Sequence, residues 1–365
     1  MRTVAFRTDA SLQIGTGHVM RCLTLADNLK KKGAKCHFIC REHHGHLSEL
    51  ILSKGYTVHV LPCEGGNPVE NEELDHAAWL GTTQGQDAQA CRPILEVLQP
   101  DWLVVDHYAL NILWEESLRP FCRRLMVIDD LADRTHLCDL LLDQNLGRKP
   151  ADYAGLVPKE CTVLVGPQYA MLRPEFAALR EYSLERRKQS KLQNLLITMG
   201  GVDQSNATGK VLESLKQSSF SDNIRIDVVM GSKAPWLEEV KGIARDMPCP
   251  TDVLVSVTNM AQLMADSDLA VGAAGSTSWE RCCMGLPTLT VILAENQVSI
   301  GQALQLSGAA KLVGAPFDAG FEERCSNALL DLMRSSDCLH VMSEVAADIT
   351  NGVGCDRVAR RLLSK

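Results

Sequence analysis

A histidine directly behind a glycine-rich turn near the start of the chain is placed for proton transfer. Gly15, Thr16 and Gly17 precede His18, and the apolar run Val4–Phe6 upstream is typical of a strand. A strand, a glycine-rich turn and a helix start direct backbone N–H groups and the positive end of the helix dipole toward one point, where anions bind. An imidazole there can exchange a proton near neutral pH. The alternative is that His18 only fills the first helical turn.

Two turns in the second half of the chain carry groups that suit phosphate oxygens. Gly200 and Gly201 follow the apolar run NLLITM, and Gly275, Ser276 and Thr277 follow DLAVGAA. Such turns present backbone N–H donors, and the second adds two hydroxyl groups at a helix start. They predict a phosphate site, although glycine pairs and Ser or Thr caps are also ordinary connectors.

Three more polar residues follow strand ends in this half of the chain. Glu280 lies one turn into the helix after Gly275, where its carboxylate could reach a ribose diol. Asn296 and Gln297 follow the run PTLTVIL and could present amides to the hydroxyl or acetamido groups of a sugar. The alternatives are a solvated helix charge for Glu280 and a plain helix cap for the two amides.

One cluster of metal-ligand residue types does not have metal-ligand spacing. The cluster consists of Cys36, His37, Cys40, His43, His44 and His46. If KCHFIC is a strand, Cys36 and Cys40 share a face but lie roughly 13 Å apart, too far to bind one zinc ion. Asp129 and Asp130 are adjacent and are expected to point to opposite faces, which does not suit magnesium. We therefore expect no metal and no cofactor.

Length, composition and charge favour a two-domain globular protein that binds small molecules. The chain has 365 residues, 45% of them hydrophobic and 22% charged, and lacks an apolar run long enough to span a membrane. Its net charge of -8 argues against nucleic-acid binding, so the expected partners are small molecules. The N-terminus reads as a strand rather than a signal peptide, and the 14 scattered cysteines suit a reduced compartment. We expect a cytoplasmic protein.

The first half of the chain alternates apolar runs with amphipathic segments, which indicates a parallel sheet covered by helices on both faces. The predicted strands are Val4–Phe6, Lys35–Cys40, Thr57–Leu61, WLVVD (102–106), RLMVID (124–129) and DLLLD (139–143), with helices near 18–31 and 46–54. The last three runs end in Asp, and the carboxyl ends of parallel strands build the site in open α/β sheets. The acidic segment 64–90 is predicted to be a surface excursion with a helix around Leu74–Leu80.

A second series of strands and helices begins after the charged stretch FAALREYSLERRKQSK. Its predicted strands are 194–201, 224–231, 251–257, 268–275 and 287–293, and its helices are about 205–217, 235–245, 259–266, 276–284 and from 297. The predicted fold class is α/β, with two doubly wound Rossmann-like domains facing across a cleft. The expected division is a first domain at 1–167, a linker helix at 168–190, a second domain at 191–340 and a closing helix at 341–365.

Several of these segments resemble those of one enzyme family in the same order. RTDASLQIGTGHVMRCLTLA, VVDHY, VIDD, LLDQN, YAMLRPEF, MGGVD and AGSTSWERCCMGLPTLTVILAENQ resemble segments of the UDP-sugar hydrolases of pseudaminic acid biosynthesis, from Met1 to about Val313. The tail NGVGCDRVARRLL is similar to that of longer relatives. The resemblance implies inverting hydrolysis of UDP-2,4-diacetamido-2,4,6-trideoxy-β-L-altropyranose, in a pathway linked to flagellin glycosylation, with the other pathway enzymes as candidate partners. More distantly, the chain resembles the GT-B enzyme that adds N-acetylglucosamine in peptidoglycan synthesis.

The resemblance also implies roles for individual residues. His18 matches the catalytic histidine, a general base on the water that attacks the anomeric carbon, and Asp9 matches an acidic residue that would orient its imidazole. The residues expected to bind substrate are Gly15, Gly17, Arg21, Tyr108, Arg173, Gly200, Gly201, Gly275, Ser276, Thr277, Glu280, Asn296 and Gln297. Tyr108 would line the sugar pocket and Glu280 would hold the ribose. The excursion at 64–90 departs from the shorter relatives, which leaves the substrate range open.

Three other functions stay open on sequence grounds. A glycosyltransferase on the same scaffold would use a sugar or lipid hydroxyl where the hydrolase uses water, because a fold does not fix a reaction. A non-catalytic nucleotide-sugar binding protein would release no UDP. A hydrolase of a related 6-deoxy diacetamido sugar from a sister nonulosonic acid pathway would use the same residues.

Overall fold

The computed structural model describes residues 1–63, 74–188, 191–217 and 224–364. They form two compact domains, the first made of Met1–Met171 with Gly354–Lys365 and the second of Leu172–Val353. Within the described part of the chain, no helix is long and apolar enough to cross a membrane. The core of the predicted acidic excursion, residues 64–73, lies outside the described residues.

The first domain is built on a seven-stranded sheet with the spatial order β3-β2-β1-β4-β5-β6-β7, in which the paired strands run parallel. The strands are β1 (Thr3–Thr8), β2 (Lys35–Arg41), β3 (Thr57–Leu61), β4 (Trp102–Asp106), β5 (Arg124–Ile128), β6 (Leu140–Asp143) and β7 (Thr162–Val165). The helices between them are α1 (Gly17–Lys31), α2 (Ser48–Ser53), α3 (Gln84–Leu98) and α4 (Ile112–Leu118).

Central strand β1 shows why these apolar runs become buried strands. Its side chains alternate between two cores, since Val4 and Phe6 pack in one and Ala5 packs in the other. Phe6 stacks on Phe38 of β2 with ring centroids 4.9 Å apart. Burial on both faces accounts for the continuous apolar runs, and the polar residues collect where the strands end.

The second domain is built on a six-stranded sheet with the order β10-β9-β8-β11-β12-β13, again with parallel pairs. The strands are β8 (Asn194–Thr198), β9 (Arg225–Met230), β10 (Thr251–Val255), β11 (Leu269–Ala273), β12 (Thr288–Val291) and β13 (Ala310–Gly314). The helices are α5 (Pro174–Arg187), α6 (Ala207–Gln217), α7 (Leu237–Arg245), α8 (Met260–Asp266), α9 (Thr277–Cys283), α10 (Val298–Ser307), α11 (Phe321–Arg334) and α12 (Ser336–Ile349).

The segment expected to be a linker helix forms α5, which packs inside the second domain. Arg180 of α5 donates hydrogen bonds to the carbonyl oxygens of Cys283 in α9 and Ala347 in α12, at 2.5 and 2.7 Å. Ser183 donates to the carbonyl of Met284 at 2.7 Å. Helix α5 is therefore held by side-chain contacts to two other elements.

The last helix, α13 (Gly354–Leu363), returns to the first domain. Its buried residues Val358, Ala359 and Leu362 join the core that contains Val4 and Phe6 of β1. Trp102 of β4 donates from Nε1 to the Leu362 carbonyl at 2.8 Å. The first domain is thus completed by the residues that follow the second.

Candidate active site

His18 lies in the first turn of α1, at the carboxyl-terminal edge of the first sheet. Gly15 has φ +80°, a conformation that favours glycine, and its N–H donates to the Ser11 carbonyl at 2.9 Å. The helix then begins at Gly17, which is exposed, and His18 follows with 8% of its surface accessible. The predicted strand, glycine turn and helix start are therefore present, and they hold the imidazole in place.

The His18 imidazole is held by a buried carboxylate. Its Nδ1 atom lies 2.6 Å from Oδ1 of Asp106, the last residue of β4. Arg21 donates to the same carboxylate through Nε and Nη2, both at 2.7 Å. Burial alone would raise the pKa of Asp106, but the charges of Arg21 and His18 hold it well below its usual range.

The tautomer of His18 follows from this contact. An ionised carboxylate can only accept hydrogen bonds, so Nδ1 carries the proton and donates it to Asp106. Among the described residues, none hydrogen-bonds to the Nε2 atom of His18. Nε2 therefore has a free lone pair and can take a proton from a water molecule or a hydroxyl group.

Tyr108 and Asp130 complete the surroundings of the imidazole. The Tyr108 ring packs edge-on against the His18 ring with centroids 4.6 Å apart, and its hydroxyl donates to Asp130 Oδ2 at 2.7 Å. Arg21 donates to the same oxygen at 2.6 Å. Burial and the Asp130 charge raise the pKa of Tyr108 well above its usual value. The structure thus brings His18, Arg21 and Tyr108 together, and engages Arg21 with two carboxylates rather than leaving it open for substrate.

The role expected for Asp9 requires a correction, because Asp106 orients the imidazole instead. Asp9 accepts hydrogen bonds from Arg7 Nη1 at 2.6 Å and from the backbone N–H of Arg41 at 2.7 Å. Burial would raise the pKa of Asp9, but Arg7 and the nearby His107 and His43 lower it well below its usual value. Asp9 belongs to a buried charge network that fixes the ends of β1 and β2.

Asp106, the carboxylate that contacts His18, is a residue that the sequence analysis did not select. The signal was present, because the run WLVVD ends in this carboxylate at the edge where His18 was expected. Thr8 and Asp106 are direct partners in the pairing of β1 with β4. The pairing of β1 with β4 rather than with another strand decides which carboxylate reaches the histidine.

In the second domain, the turn after β8 has the backbone that its two glycines allow. Gly200 has φ +91°. A Cβ atom added to Gly231, after β9, would lie 2.1 Å from the carbonyl oxygen of Gly201. The ends of β8 and β9 therefore approach so closely that a side chain at Gly231 would not fit. Gly200 and Gly201 themselves are exposed at the carboxyl edge of this sheet.

The turn after β11 is supported by an arginine that the sequence analysis did not identify. Buried Arg281 donates to the Ala273 carbonyl at 2.7 Å and to the hydroxyl groups of Thr277 and Ser278 at 3.2 and 3.0 Å. The Thr277 hydroxyl is thus engaged within the protein, whereas Ser276 is exposed. The spacing of Thr277 and Arg281, four residues apart on a helix, is the signal that could have indicated this contact.

Glu280 and Arg173 lie close together in the second domain. Arg173 Nη2 lies 3.7 Å from Glu280 Oε1, and Nη1 lies 3.1 Å from Glu175 Oε1. Burial raises the pKa of Glu280 to about 7, although Arg173 opposes the rise. Near neutral pH this carboxyl group can therefore both donate and accept hydrogen bonds.

The two amides after β12 differ in how far the protein engages them. Gln297 accepts from the Leu293 N–H at 3.0 Å, and its Nε2 lies 3.9 Å from where a Cβ on Gly275 would be. Gln297 is therefore next to the turn after β11. Asn296 is partly exposed in the helical turn Glu295–Gln297.

Among the residues that the structure describes, no group of three or more His, Cys, Asp or Glu side chains is arranged to hold a metal ion. In the cluster of residues 36–46, burial raises the pKa of Cys36 to about 12, so its thiol keeps its proton at neutral pH. His43 Nε2 instead lies 3.5 Å from Asp9 Oδ2.

Solved structures show which fold this architecture represents. Acinetobacter baumannii MurG superposes with a TM-score of 0.71 at 16% identity, covering 99% of each chain. LpCGTa, solved in complex with UDP, superposes with a TM-score of 0.67 at 13% identity, covering 100% of each chain. The chain therefore has two Rossmann-like domains of the GT-B type. The expected cleft between them stays a prediction.

No family model matches the chain. Its sequence relatives are distant. The UDP-2,4-diacetamido-2,4,6-trideoxy-beta-L-altropyranose hydrolase of Campylobacter jejuni is 26% identical over 84% of this chain and 97% of that protein. An uncharacterized Methanocaldococcus jannaschii protein is 25% identical over 81% of this chain, which spans 56% of its length. Bacillus subtilis SpsG, a spore coat polysaccharide biosynthesis protein, is 33% identical over a segment that makes up 41% of this chain and 43% of SpsG.

Proposed function

We propose that the protein is an enzyme acting on a UDP-sugar. More narrowly, we propose that it hydrolyses UDP-2,4-diacetamido-2,4,6-trideoxy-β-L-altropyranose to UDP and the free diacetamido sugar, as a step of pseudaminic acid biosynthesis. The similarity to the C. jejuni hydrolase along most of both chains supports the choice of substrate. The GT-B type of fold supports a nucleotide-sugar enzyme.

The observation that carries the proposal is the hydrogen bond of 2.6 Å between His18 and Asp106. A histidine whose Nδ1 proton is held by an ionised carboxylate presents a basic Nε2 and gains stabilisation when it becomes positively charged. Arg21 keeps that carboxylate ionised and fixed. This arrangement is that of a general base.

The proposed hydrolysis is a single displacement of UDP by water. A water oxygen forms a bond to the anomeric carbon of the sugar, while the bond between that carbon and the diphosphate oxygen breaks and UDP leaves with the electron pair. His18 Nε2 takes a proton from the water. Attack opposite UDP inverts the anomeric centre. UDP is a good leaving group, so the main requirement is to place and activate one water molecule.

We assign UDP binding to the second domain. The exposed turn at Gly200 and the partly exposed turn at Gly275 suit phosphate oxygens. Glu280 suits the ribose hydroxyls because its carboxyl group can donate or accept. Arg173 adds a positive charge beside Glu280. Asn296 stays a candidate contact to the sugar.

The test is to incubate the purified protein with the UDP-linked diacetamido sugar in EDTA and to follow UDP and free sugar by NMR. His18→Ala should lower kcat by about 10²- to 10⁴-fold, the usual contribution of a general base, with the affinity for UDP nearly unchanged. His340→Ala is the matched control, because His340 is 46% exposed on α12. A His18→Ala variant that turns over at the wild-type rate would exclude the mechanism.

The second candidate is a glycosyltransferase, favoured by the structural similarity to the rhamnosyltransferase SpnG, with a TM-score of 0.64 at 14% identity. In that case His18 would activate an acceptor hydroxyl instead of water. The same NMR experiment separates the two, because a hydrolase forms free sugar without an added acceptor. UDP release that depends on an added sugar or lipid alcohol would identify a transferase.

A further inference from the structure

Three aromatic rings form a cluster beside His18. Tyr108 packs against the imidazole, and the Trp79 indole stacks over Tyr108 with centroids 5.7 Å apart. His76 touches both, at 4.4 Å from the Trp79 ring and 5.4 Å from the Tyr108 ring. We call His76, Trp79 and Tyr108 the aromatic wall. The Tyr108 ring of this wall contacts His18, the proposed general base, directly.

The wall is fixed by its own local structure. Trp79 lies in the short helical turn Ala77–Leu80, where Leu80 is fully buried in the core that also contains Ala109 and Leu110. The turn ends at Gly81 with φ +69°, and the Gly81 N–H donates to the Ala78 carbonyl. Burial of Leu80 on one side of the turn holds Trp79 on the other, so the indole is positioned before any ligand arrives.

The indole of Trp79 has an unused hydrogen-bond donor. Trp102, Trp114 and Trp236 donate from Nε1 to protein oxygens at 2.8 to 2.9 Å. Trp279 also has no acceptor for its Nε1–H among the described residues, but it is buried and therefore closed to a ligand. Within the described ranges, nothing accepts a hydrogen bond from Trp79 Nε1, and the side chain is partly exposed. The partly exposed indole of Trp79 therefore offers apolar surface and a free N–H side by side.

An acetamido group has the complementary chemistry, because it carries an apolar methyl group next to a carbonyl that accepts hydrogen bonds. A plain hydroxyl group would cover less of the exposed apolar surface of the indole. The uracil base is a poor occupant, since two phosphates and a ribose separate it from the anomeric carbon that must lie near His18. The sugar is the part of a UDP-sugar that can reach the wall while the anomeric carbon faces the base.

We propose that Trp79 is a specificity-determining residue that binds an acetamido group of the sugar, with the methyl group against the exposed apolar surface of the indole and the carbonyl oxygen accepting from Nε1–H. The inference rests on the proposed function, since it assigns a part of the same substrate. It selects N-acetylated sugars over sugars that carry free amino or hydroxyl groups at the same carbon.

The test compares the diacetamido substrate with two analogues that each lack one acetyl group. The dissociation constants are measured by calorimetry in the His18→Ala background, where turnover does not interfere, and kcat and KM are measured in the wild-type background. Trp79→Ala should weaken binding of the diacetamido substrate roughly 5- to 50-fold, the combined effect of an aromatic contact and a hydrogen bond, through KM rather than kcat. Binding of the analogue that lacks the acetyl group contacted by Trp79 should hardly change, because that analogue does not make the contact.

Trp79→Phe keeps a ring without the N–H and should retain part of the preference. Tyr182→Ala serves as the control, because Tyr182 is an aromatic residue, 49% exposed, on α5 of the second domain. Melting temperatures and the affinity for UDP should match the wild type in all variants. These readouts separate ligand recognition from a general loss of structure.

The inference is overturned if Trp79→Ala keeps the full preference for the diacetamido substrate, or if it weakens the substrate and both analogues equally. Failure of the proposed function looks different. In that case the protein with an intact His18 releases no UDP, while the binding measurements in the His18→Ala background still report whether Trp79 distinguishes acetylated from unacetylated sugars.

Discussion

At the scale of single residues, the site depends on a carboxylate that is far from its histidine in sequence. Asp106 accepts one hydrogen bond from His18 and two from Arg21 while it is fully buried. A buried charge is stable only when it is paired and hydrogen-bonded, and both conditions are met here. The contact directs Nδ1 of His18 to Asp106 and leaves Nε2 without a hydrogen-bond partner among the described residues.

Replacing Asp106 by Asn should therefore impair catalysis more than substrate binding. An Asn side chain cannot hold His18 in the same tautomer and cannot stabilise the imidazolium, so kcat should fall about 100-fold or more with a small change in KM. Steady-state kinetics with the UDP-sugar measures both parameters. Asp331→Asn, at a side chain 63% exposed, is the control. An equal loss of kcat in Asp106→Asn and Asp331→Asn, or no loss of kcat in Asp106→Asn, would show that the Asp106 carboxylate does not act through His18.

Glu280 gives a prediction about stability and pH. Its pKa is about 7 in the folded protein, against an ordinary value of 4.5, because of burial. A raised folded-state pKa means that the neutral group favours folding below about pH 4.5 and that this contribution is lost as the pH rises through about 7. Glu280→Gln stays neutral, so its stability relative to the wild type should rise across this range, by on the order of 3 kcal/mol.

Thermal unfolding of the wild type and of Glu280→Gln between pH 4.5 and 7.5 measures this difference. Glu323→Gln, at an exposed position on α11, should show no such trend. A difference in melting temperature between wild type and Glu280→Gln that stays constant with pH would mean that Glu280 is already charged in the folded protein.

At the scale of elements, most of the strands were predicted, whereas β7, β13 and some of the helices were not. A strand buried on both faces must be apolar along its length, which makes runs such as WLVVD and NLLIT visible without any tertiary information. Helix α3 was not recognised because its first residues lie within the polar segment 64–90 that was predicted to be an excursion. A capping box at Thr83 and Gln86 marked its start, since each side chain hydrogen-bonds the other's backbone.

Helix α13 is amphipathic in the sequence, but the sequence does not say which domain it covers. Leu362→Ala should show the answer, because the side chain is fully buried in the core of the first domain. Removing it should lower the free energy of unfolding by about 2 to 5 kcal/mol. Urea denaturation measures the loss, and Leu306→Ala, 87% exposed, should cost almost nothing. A negligible effect of Leu362→Ala would mean that α13 contributes little to this core.

At the scale of the whole molecule, the two-domain α/β plan followed from the sequence because two series of strand–helix units were separated by a charged stretch. The position of His18 also followed, since a strand, a glycine turn and a helix start are local features. The partner of His18 did not, because Asp9 and Asp106 both follow apolar strands, and only the order of strands in the sheet separates them. The contact of Trp79 with Tyr108 was not predicted for the same reason, because the two residues are distant in sequence.

The return of α13 has a consequence for biosynthesis. A ribosome translates residues 172–353 before it reaches this helix, which takes about ten seconds or longer at ordinary elongation rates. Throughout that interval the nascent first sheet lacks the cover that Val358 and Leu362 later supply. The second domain can therefore complete its folding before the first, which reverses the usual order from the amino terminus to the carboxyl terminus. Chaperones that bind exposed apolar surface would then bind the amino-terminal domain.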